Sequence, residues 1–312
     1  MDDRTPHQHA AGPRGQDLLT ALERGADPLP AHLNLDGCGL SALPGGLRRG
    51  AEAQVFSAYD NGLTAVPEWL WTLSSLTTLN LSANRLTELG PGLGGLTRLR
   101  MLDLGHNELS TLPDVFDGLR DLRFLYLSNN RLTELPGSLR HLRSLAYLNV
   151  TDNALTTLPG WLGELAGLVE FRAYNNALTA LPASLGELTG LRELHVMKNR
   201  LTRLPPELGN CARLSKLMAQ GNALTSLPGE LGKLGALTEL DLRFNELTEL
   251  PASLADLERL RSLDLRANAL TALPEGLAFL PSLEKLDLRW NRLTTLPPAF
   301  RRLEERGCLV YT

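Results

Sequence analysis

An asparagine recurs every 23 residues through most of this chain. The series runs without a slip, and its members are Asn61, Asn84, Asn107, Asn130, Asn153, Asn176, Asn199, Asn222, Asn245, Asn268 and Asn291. Leucines keep the same register, so each unit reads L-x-x-L-x-L-x-x-N-x-L-T-x-L-P-x-x-L-x-x-L-x-x, and Cys38 takes the asparagine place one period earlier. Twelve such units fit the chain. A fixed period of this length predicts a solenoid in which each unit packs on its neighbours.

The first half of each unit predicts a short, half-buried strand. In the unit from 76 to 98, Leu79 and Leu81 are expected to face the core, and Asn80 and Ser82 to face water, because side chains alternate along a strand. Parallel strands lie about 4.8 Å apart, so twelve of them make a sheet roughly 58 Å long.

The second half of the unit predicts a turn and a short return segment. The amide of the repeated asparagine can donate to a backbone carbonyl and accept from a backbone N–H, which satisfies groups that stacking hides from water. A proline follows the second return leucine in eleven of the twelve units. Because proline suits the first turn of a helix, we expect helices of one or two turns on the convex side.

This unit is identified as a leucine-rich repeat, and the resemblance covers residues 30 to 303. Its L-T-x-L-P-x-x-L-x-x-L wording resembles the repeats of Ras-suppressor and Scribble-type proteins, of plant intracellular Ras-group proteins and of their bacterial relatives. The resemblance implies an α/β horseshoe with a curved parallel sheet on the concave face and short helices or turns on the convex side. It also implies a scaffold that binds a protein, in some members a small GTPase or its signalling partners.

The segments that flank the repeats are expected to differ from them. Residues 1–14 carry no apolar spacing and are predicted to be a disordered tail. Residues 15–29 are predicted to form an N-terminal helical cap, and residues 304–312 a C-terminal cap with a last half-strand, on either side of the twelve repeats at 30–303. Such caps are needed because terminal repeats cannot bury their own leucines.

Composition bears on location and on partner class. The net charge of −4 gives no basic stripe of the kind that nucleic acid requires, so no nucleic-acid partner is expected. The first 30 residues contain no apolar stretch typical of a secretory segment, so we expect a cytoplasmic protein with no membrane partner. The three cysteines fall in distant units and are expected to be reduced. Only four of the 31 basic residues are lysine, which hints at a bacterial source.

Function is expected on the outward positions of the strands, which the repeat leaves free. Counting the first leucine of a unit as position 1, these are positions 3, 5, 7 and 8. Large or functional side chains gather there in units four to nine and form what we call the concave patch: Met101, Phe124, Tyr126, Tyr147, Arg172, Tyr174, His195, Met197 and Met218. Aromatic residues and methionine enrich binding hot spots, so the patch predicts a contact surface. The alternative is that these residues only pair across strands and stabilise the sheet.

Charge replaces aromatics toward the C terminus. The Asp–Arg ladder consists of Asp241, Asp264 and Asp287 at position 5 and Arg243, Arg266 and Arg289 at position 7 of the same three strands. One interpretation is a self-neutralising lattice that contributes little to stability. The other is that the arginine forks remain available for the carboxylates of a partner, with Phe244 and Trp290 at position 8 on the same rim.

Catalytic signals are weak. The segment from Gly229 to Leu234 lacks the spacing of a phosphate-binding loop. Glu170, Glu193 and His195 fall on adjacent strands and could gather a metal, but the cations beside them favour an ion-pair cluster. No serine or cysteine has a histidine at a fixed repeat offset. We therefore expect no enzyme, cofactor or metal.

The sequence thus predicts a cytoplasmic, non-catalytic scaffold that binds a protein partner on its concave face. Two alternatives stay open. One is a bacterial effector that is exported into a host cell, and the other is a sensor that binds a peptide or a carbohydrate.

Overall fold

The computed structural model describes residues 15–25 and 27–312, and within them one sheet of thirteen parallel strands runs in chain order. The strands are β1 His32–Asn34, β2 Val55–Ser57, β3 Thr78–Asn80, β4 Met101–Asp103, β5 Phe124–Tyr126, β6 Tyr147–Asn149, β7 Glu170–Arg172, β8 Glu193–His195, β9 Lys216–Met218, β10 Glu239–Asp241, β11 Ser262–Asp264, β12 Lys285–Asp287 and β13 Leu309–Tyr311. The predicted solenoid with a parallel sheet is confirmed. The tail predicted at 1–14 lies outside the described residues.

The strands pair in register, one repeat against the next. Leu102 lies beside Leu79 on one side and Leu125 on the other, and the same middle position continues through Leu148. All four side chains are fully buried. Each buried leucine contributes about 1.5–3 kcal/mol relative to exposure, so the stacked column holds the repeats together.

Each return segment is a single 3₁₀ helix rather than an α-helix. These helices are Gly45–Arg49, Glu68–Thr72, Pro91–Gly95, Phe116–Gly118, Gly137–His141, Gly160–Glu164, Ala183–Glu187, Pro206–Asn210, Gly229–Lys233, Ala252–Asp256, Glu275–Phe279 and Pro298–Phe300. The prediction of short convex helices is confirmed, and the proline has a visible role there. In the second repeat the Leu70 N–H donates to the carbonyl of Pro67 at 2.9 Å, which closes the turn.

The repeated asparagine joins neighbouring repeats through its side chain. The Asn84 Nδ2 donates to the carbonyl of Ala58 in the preceding repeat at 2.9 Å and to that of Leu81 in its own repeat at 3.0 Å. Its Oδ1 accepts from the Leu63 N–H at 3.0 Å. Cys38, in the same place one period earlier, makes only a weak contact from its Sγ to the Asp36 carbonyl at 3.7 Å.

The third repeat departs from the pattern because a tryptophan of the preceding repeat fills its space. Trp71 is buried on the convex side. A Cβ at Gly90, where other repeats carry proline, would lie 3.0 Å from the Trp71 ring nitrogen, and a Cβ at Gly92 would lie 2.6 Å from the ring. At Gly92 a side chain would collide with the indole, and at Gly90 it would meet the Glu68 carboxylate oxygen at 2.7 Å before the indole.

Helices close both ends of the described solenoid. Helix α1, Gly15–Glu23, packs on β1 and buries Leu18. At the other end the 3₁₀ turn leads directly into helix α2, Arg301–Glu305, which buries Leu303 and contacts β13.

Candidate functional site

Position 8, expected to be free, adopts a left-handed backbone along the concave rim. Ten non-glycine residues there have φ between 50° and 61°, namely Asp60, Ala83, His106, Asn129, Asp152, Asn175, Lys198, Phe244, Ala267 and Trp290, and Gly221 has φ 68°. This conformation is uncommon for bulky residues. Phe244 and Trp290 are nevertheless held in it, with 52% and 66% of their surface exposed. Position 8 lies in the turn that precedes the repeated asparagine, and this turn imposes the left-handed backbone. The choice of residue at position 8 is therefore only partly free.

Position 5 is also structural wherever it carries Asn or Asp. The Asn80 Oδ1 accepts from the Ser82 N–H at 2.9 Å, two residues along the chain. The same bond forms at Asn34, Asp103, Asn149, Asp241, Asp264 and Asp287, with distances of 2.9 to 3.4 Å. We call this bond the Asx cap. It satisfies the position-7 N–H, which has no ladder partner, as Asn and Asp commonly do in turns.

The Asx cap is interrupted in the middle of the sheet. Strands β5, β7, β8 and β9 carry Tyr126, Arg172, His195 and Met218 at position 5, and none of these four offers an Asx oxygen. In β2, Ser57 also lacks one, but there the Asp36 Oδ1 of the preceding repeat accepts from the Tyr59 N–H at 2.9 Å. The four repeats without a cap all contribute to the concave patch, whose other two members, Met101 and Tyr147, stand in repeats that keep the cap. The four uncapped repeats therefore carry contact-prone side chains where the fold prefers Asn or Asp.

Aromatic side chains of β5 and β6 form the centre of the concave patch. Phe124 is 41% exposed, and the half-buried rings of Tyr126 and Tyr147 lie 4.9 Å apart between centroids. The Arg172 guanidinium lies 5.8 Å from the centroid of the Tyr147 ring. Burial raises the pKa of both tyrosines, so their hydroxyls keep their protons at neutral pH. The surface thus combines apolar rings with hydroxyl groups that can donate.

The patch differs from the expected one at its N-terminal edge. Met101 lies beside Phe124 in the register, as expected, but only 7% of it is exposed. Its interpretation as a contact residue is therefore corrected, because so little of its surface is left for a partner. At the other edge Tyr174, Met197 and Met218 are half-buried on the concave face and stay candidates.

Paired charges fill the middle of the patch. The Arg172 Nε contacts the Glu170 Oε1 at 2.5 Å, and Glu193 contacts both the His195 Nε2 and the Lys216 Nζ at 3.1 Å. Ligand atoms of Glu170, Glu193 and His195 lie within 4.8 Å of one another. A cation or imidazole already pairs with each carboxylate, which matches the ion-pair interpretation better than a metal site. Burial lowers the pKa of His195 and favours its neutral form.

The Asp–Arg ladder is internally paired. The Arg266 Nη2 lies 2.6 Å from Asp264, and its Nε lies 3.3 Å from the fully buried Asp287. The Arg289 Nη2 lies 2.7 Å from the same Asp287, and the Arg243 Nε contacts Asp241, in the same strand, at 3.2 Å. The forks of Arg266 and Arg289 are occupied, as the self-neutralising interpretation predicts. The alternative, in which they stay open for a partner, disagrees with this geometry.

Two aromatic rings, those of Trp290 and Tyr311, pack against Arg289 of the Asp–Arg ladder. The Arg289 guanidinium lies 5.7 Å from the centroid of Trp290 and 5.1 Å from that of Tyr311. These contacts use the rings to cover the cation. Trp290 thus has a structural neighbour even though most of it is exposed.

Comparison with known sequences identifies the family. A model described as leucine rich repeat matches residues 74–132, 212–270, 236–293 and 258–305, and a model described as leucine-rich repeat region matches 114–224. The chain belongs to the leucine-rich repeat family. No curated protein matches it significantly.

Solved structures of leucine-rich repeat proteins resemble the fold closely. A leucine-rich repeat protein of Leptospira interrogans is 32% identical over 88% of this chain and 70% of its own, with a TM-score of 0.82. The ectodomain of the receptor kinase GASSHO1/SCHENGEN3 of Arabidopsis thaliana, in complex with CASPARIAN STRIP INTEGRITY FACTOR 2, is 31% identical over 86% of this chain and 36% of its own, with a TM-score of 0.71. The plant peptide hormone receptor RGFR1, in complex with RGF2, is 26% identical over 89% and 46%, with a TM-score of 0.76. The chain spans less than half the length of these two receptor chains.

Leucine-rich repeat proteins are generally non-catalytic binding scaffolds, and several similar structures are complexes with protein ligands. Within residues 15–25 and 27–312, no helix has the length and apolar character needed to cross a membrane.

Proposed function

We propose that this leucine-rich repeat chain is a non-catalytic scaffold that binds a protein partner on the concave patch. The observation that supports this proposal is that the four repeats that lack the Asx cap, those of β5, β7, β8 and β9, all carry side chains of the concave patch at position 5. Replacing a cap that contributes about 1 kcal/mol by a side chain that only covers the sheet surface would lower the stability without a gain in binding. A side chain that contacts a partner offsets that loss, because binding surfaces are commonly kept at some cost in stability.

The partner class and the location belong to the same proposal. We place the protein in the cytoplasm, with a small GTPase or another signalling protein as partner, as the resemblance to Ras-suppressor-type repeats implies. The net charge of −4 does not favour nucleic acid.

Capture from a native lysate tests the proposal. Wild-type protein is compared with a Phe124→Ala/Tyr147→Ala variant, and captured proteins are identified by mass spectrometry. We expect the variant to lose a specific protein that the wild type retains. The matched control is Phe279→Ala, which removes an aromatic residue that is 54% exposed in a return segment, outside the concave patch. If the patch variant and the control capture the same proteins as wild type, the proposal is wrong.

A second candidate is binding of a peptide, which the similarity to the plant peptide hormone receptor RGFR1 favours. The same capture experiment separates the two, because a peptide partner appears in the low-mass fraction of the eluate and a folded protein does not.

A further inference from the structure

Five arginines gather along the edge of the sheet where β4, β5 and β6 begin. The segments that lead into these strands read TRLR at 97–100, RDLR at 120–123 and RSLA at 143–146. The arginines, which we call the basic edge, are Arg98, Arg100, Arg120, Arg123 and Arg143, and all are exposed. Asp121 is the one acid in these three segments, so the edge carries a local positive charge in a chain whose net charge is −4.

Two of these arginines lie directly side by side. The Arg123 N–H donates to the Arg100 carbonyl at 2.8 Å, so the side chains leave adjacent strands about 4.8 Å apart. Like charges in this arrangement repel. Among the described residues, no acid forms an ion pair with Arg98, Arg100, Arg120 or Arg123. The acid near Arg143 is Glu164, which Arg140 already holds at 2.5 Å.

Within the described residues, one arginine in a comparable place has an acid supplied by the next repeat, whereas Arg192, Arg213 and Arg259 form no ion pair. Position 2, which holds Arg100 and Arg123 on β4 and β5, carries Arg261 in the repeat of β11, where the next repeat supplies Glu284 at 3.6 Å. Arg131, in a loop at the opposite edge, contacts Glu108 of the preceding repeat at 2.8 Å. The basic edge therefore differs from these other places in the number of arginines that it gathers, five on three consecutive repeats.

The basic edge is continuous with the concave patch. Phe124 follows Arg123 directly and is 41% exposed. From β4 to β6 the edge spans about 10 Å, which matches three or four residues of an extended peptide. A long polyanion or an anionic membrane would also approach acids of the concave face, such as Asp152 in the turn after β6 and Glu170 in β7. A short acidic segment avoids them.

We infer that the basic edge binds an acidic segment of the protein partner, with its carboxylates on the arginine forks and an apolar side chain against Phe124. This inference rests on the proposed function and specifies the chemistry of its partner. Guanidinium forks hold carboxylates through paired hydrogen bonds, and uncompensated charge steers a complementary partner toward the adjoining contact surface.

Selection from a random peptide library on immobilised wild-type protein tests this inference. We expect the enriched peptides to contain clustered Asp and Glu next to an apolar residue. An Arg100→Ser/Arg123→Ser variant should bind a selected peptide about 3- to 30-fold more weakly, as expected for two exposed charge pairs. The matched control, Arg261→Ser, removes a position-2 arginine that already has an acid, and it should bind like wild type. Binding should weaken as salt rises from low to physiological concentration.

Several results overturn the inference. These are enrichment without an acidic bias, equal binding by the Arg100→Ser/Arg123→Ser variant, or tighter binding of oligothymidylate or phosphatidylserine vesicles than of the selected peptide at the same salt. The proposed function fails separately. If the Phe124→Ala/Tyr147→Ala variant loses its captured protein while the basic-edge variant keeps it, the concave scaffold stands and the acidic segment does not.

Discussion

Restoring one missing Asx cap should stabilise the protein relative to a variant that only removes the same contact residue. Met218 is the best place for the substitution, because it makes no polar contact that would be lost. In Met218→Asn the new amide oxygen can accept from the Gln220 N–H, as the Asn149 Oδ1 accepts from the Thr151 N–H at 3.0 Å. The comparison variant is Met218→Ala, which loses the same methionine without gaining an acceptor.

The expected difference follows from the single hydrogen bond that separates the two variants. A hydrogen bond of this kind contributes about 0.5–1.5 kcal/mol net, so Met218→Asn should be more stable than Met218→Ala by about 1 kcal/mol. In a chain of this size the melting temperature should rise by about 2 °C. The mirror substitution, Asn149→Ala, removes an existing cap and should lower the stability by a similar amount.

Urea unfolding monitored by circular dichroism, with calorimetry for the melting temperature, measures these differences. If Met218→Asn is no more stable than Met218→Ala while Asn149→Ala loses about 1 kcal/mol, the repeat of β9 gains nothing from an Asx cap. Met218 then displaces no stabilising bond, which contradicts the prediction. If neither substitution changes the stability, the Asx cap has no energetic role in this solenoid. A crystal structure of Met218→Asn should show the new bond to the Gln220 N–H.

Three further predictions concern the repeated asparagine, the buried carboxyl group of Asp241 and the thiols. Asn153→Ala removes three side-chain donations to backbone carbonyls and one acceptance, so urea unfolding should show a loss of about 3 kcal/mol or more. Burial raises the pKa of Asp241 from 3.8 to about 6, so its ionised form is disfavoured in the folded state and stability should fall as pH rises from about 4 to about 6. Asp241→Asn keeps an oxygen for the Arg243 N–H and should flatten that slope; an unchanged slope would assign it to other groups. Burial raises the pKa of Cys211 to about 11, so a maleimide at pH 8 should label Cys38 first and Cys211 only on unfolding, as located by mass spectrometry.

The fold could be predicted from sequence because the repeat is strict. The leucine spacing fixes which side chains face the core, and the asparagine fixes where the chain turns, so any one unit predicts the others. The sequence predicted short return helices but not their type, since the proline and the spacing allow either an α-turn or a 3₁₀ turn.

The site could be predicted only in part, because three features depend on neighbours in space. The left-handed backbone at position 8 cannot be recognised from residue type. Asn129 and Gly221 favour that conformation, but Ala267 and Trp290 adopt it too. The burial of Met101 depends on side chains from adjacent strands. The closure of the arginine forks depends on rotamers that packing selects.

The Asx cap, by contrast, left a readable signal. Asn or Asp stands at position 5 in seven of the twelve repeat strands. Read as a column, that preference indicates a backbone-capping role and leaves five exceptions, of which Ser57 is served by Asp36 of the preceding repeat, and Tyr126, Arg172, His195 and Met218 need an explanation.

Hydrogen exchange measured by mass spectrometry, with and without the captured partner, tests the central claim most directly. The account predicts that binding protects the segments 124–128, 147–151, 170–174, 193–197 and 216–220, which carry the concave patch. Protection confined to 239–243, 262–266 and 285–289, or to the convex 3₁₀ helices, would place the partner elsewhere and contradict the account.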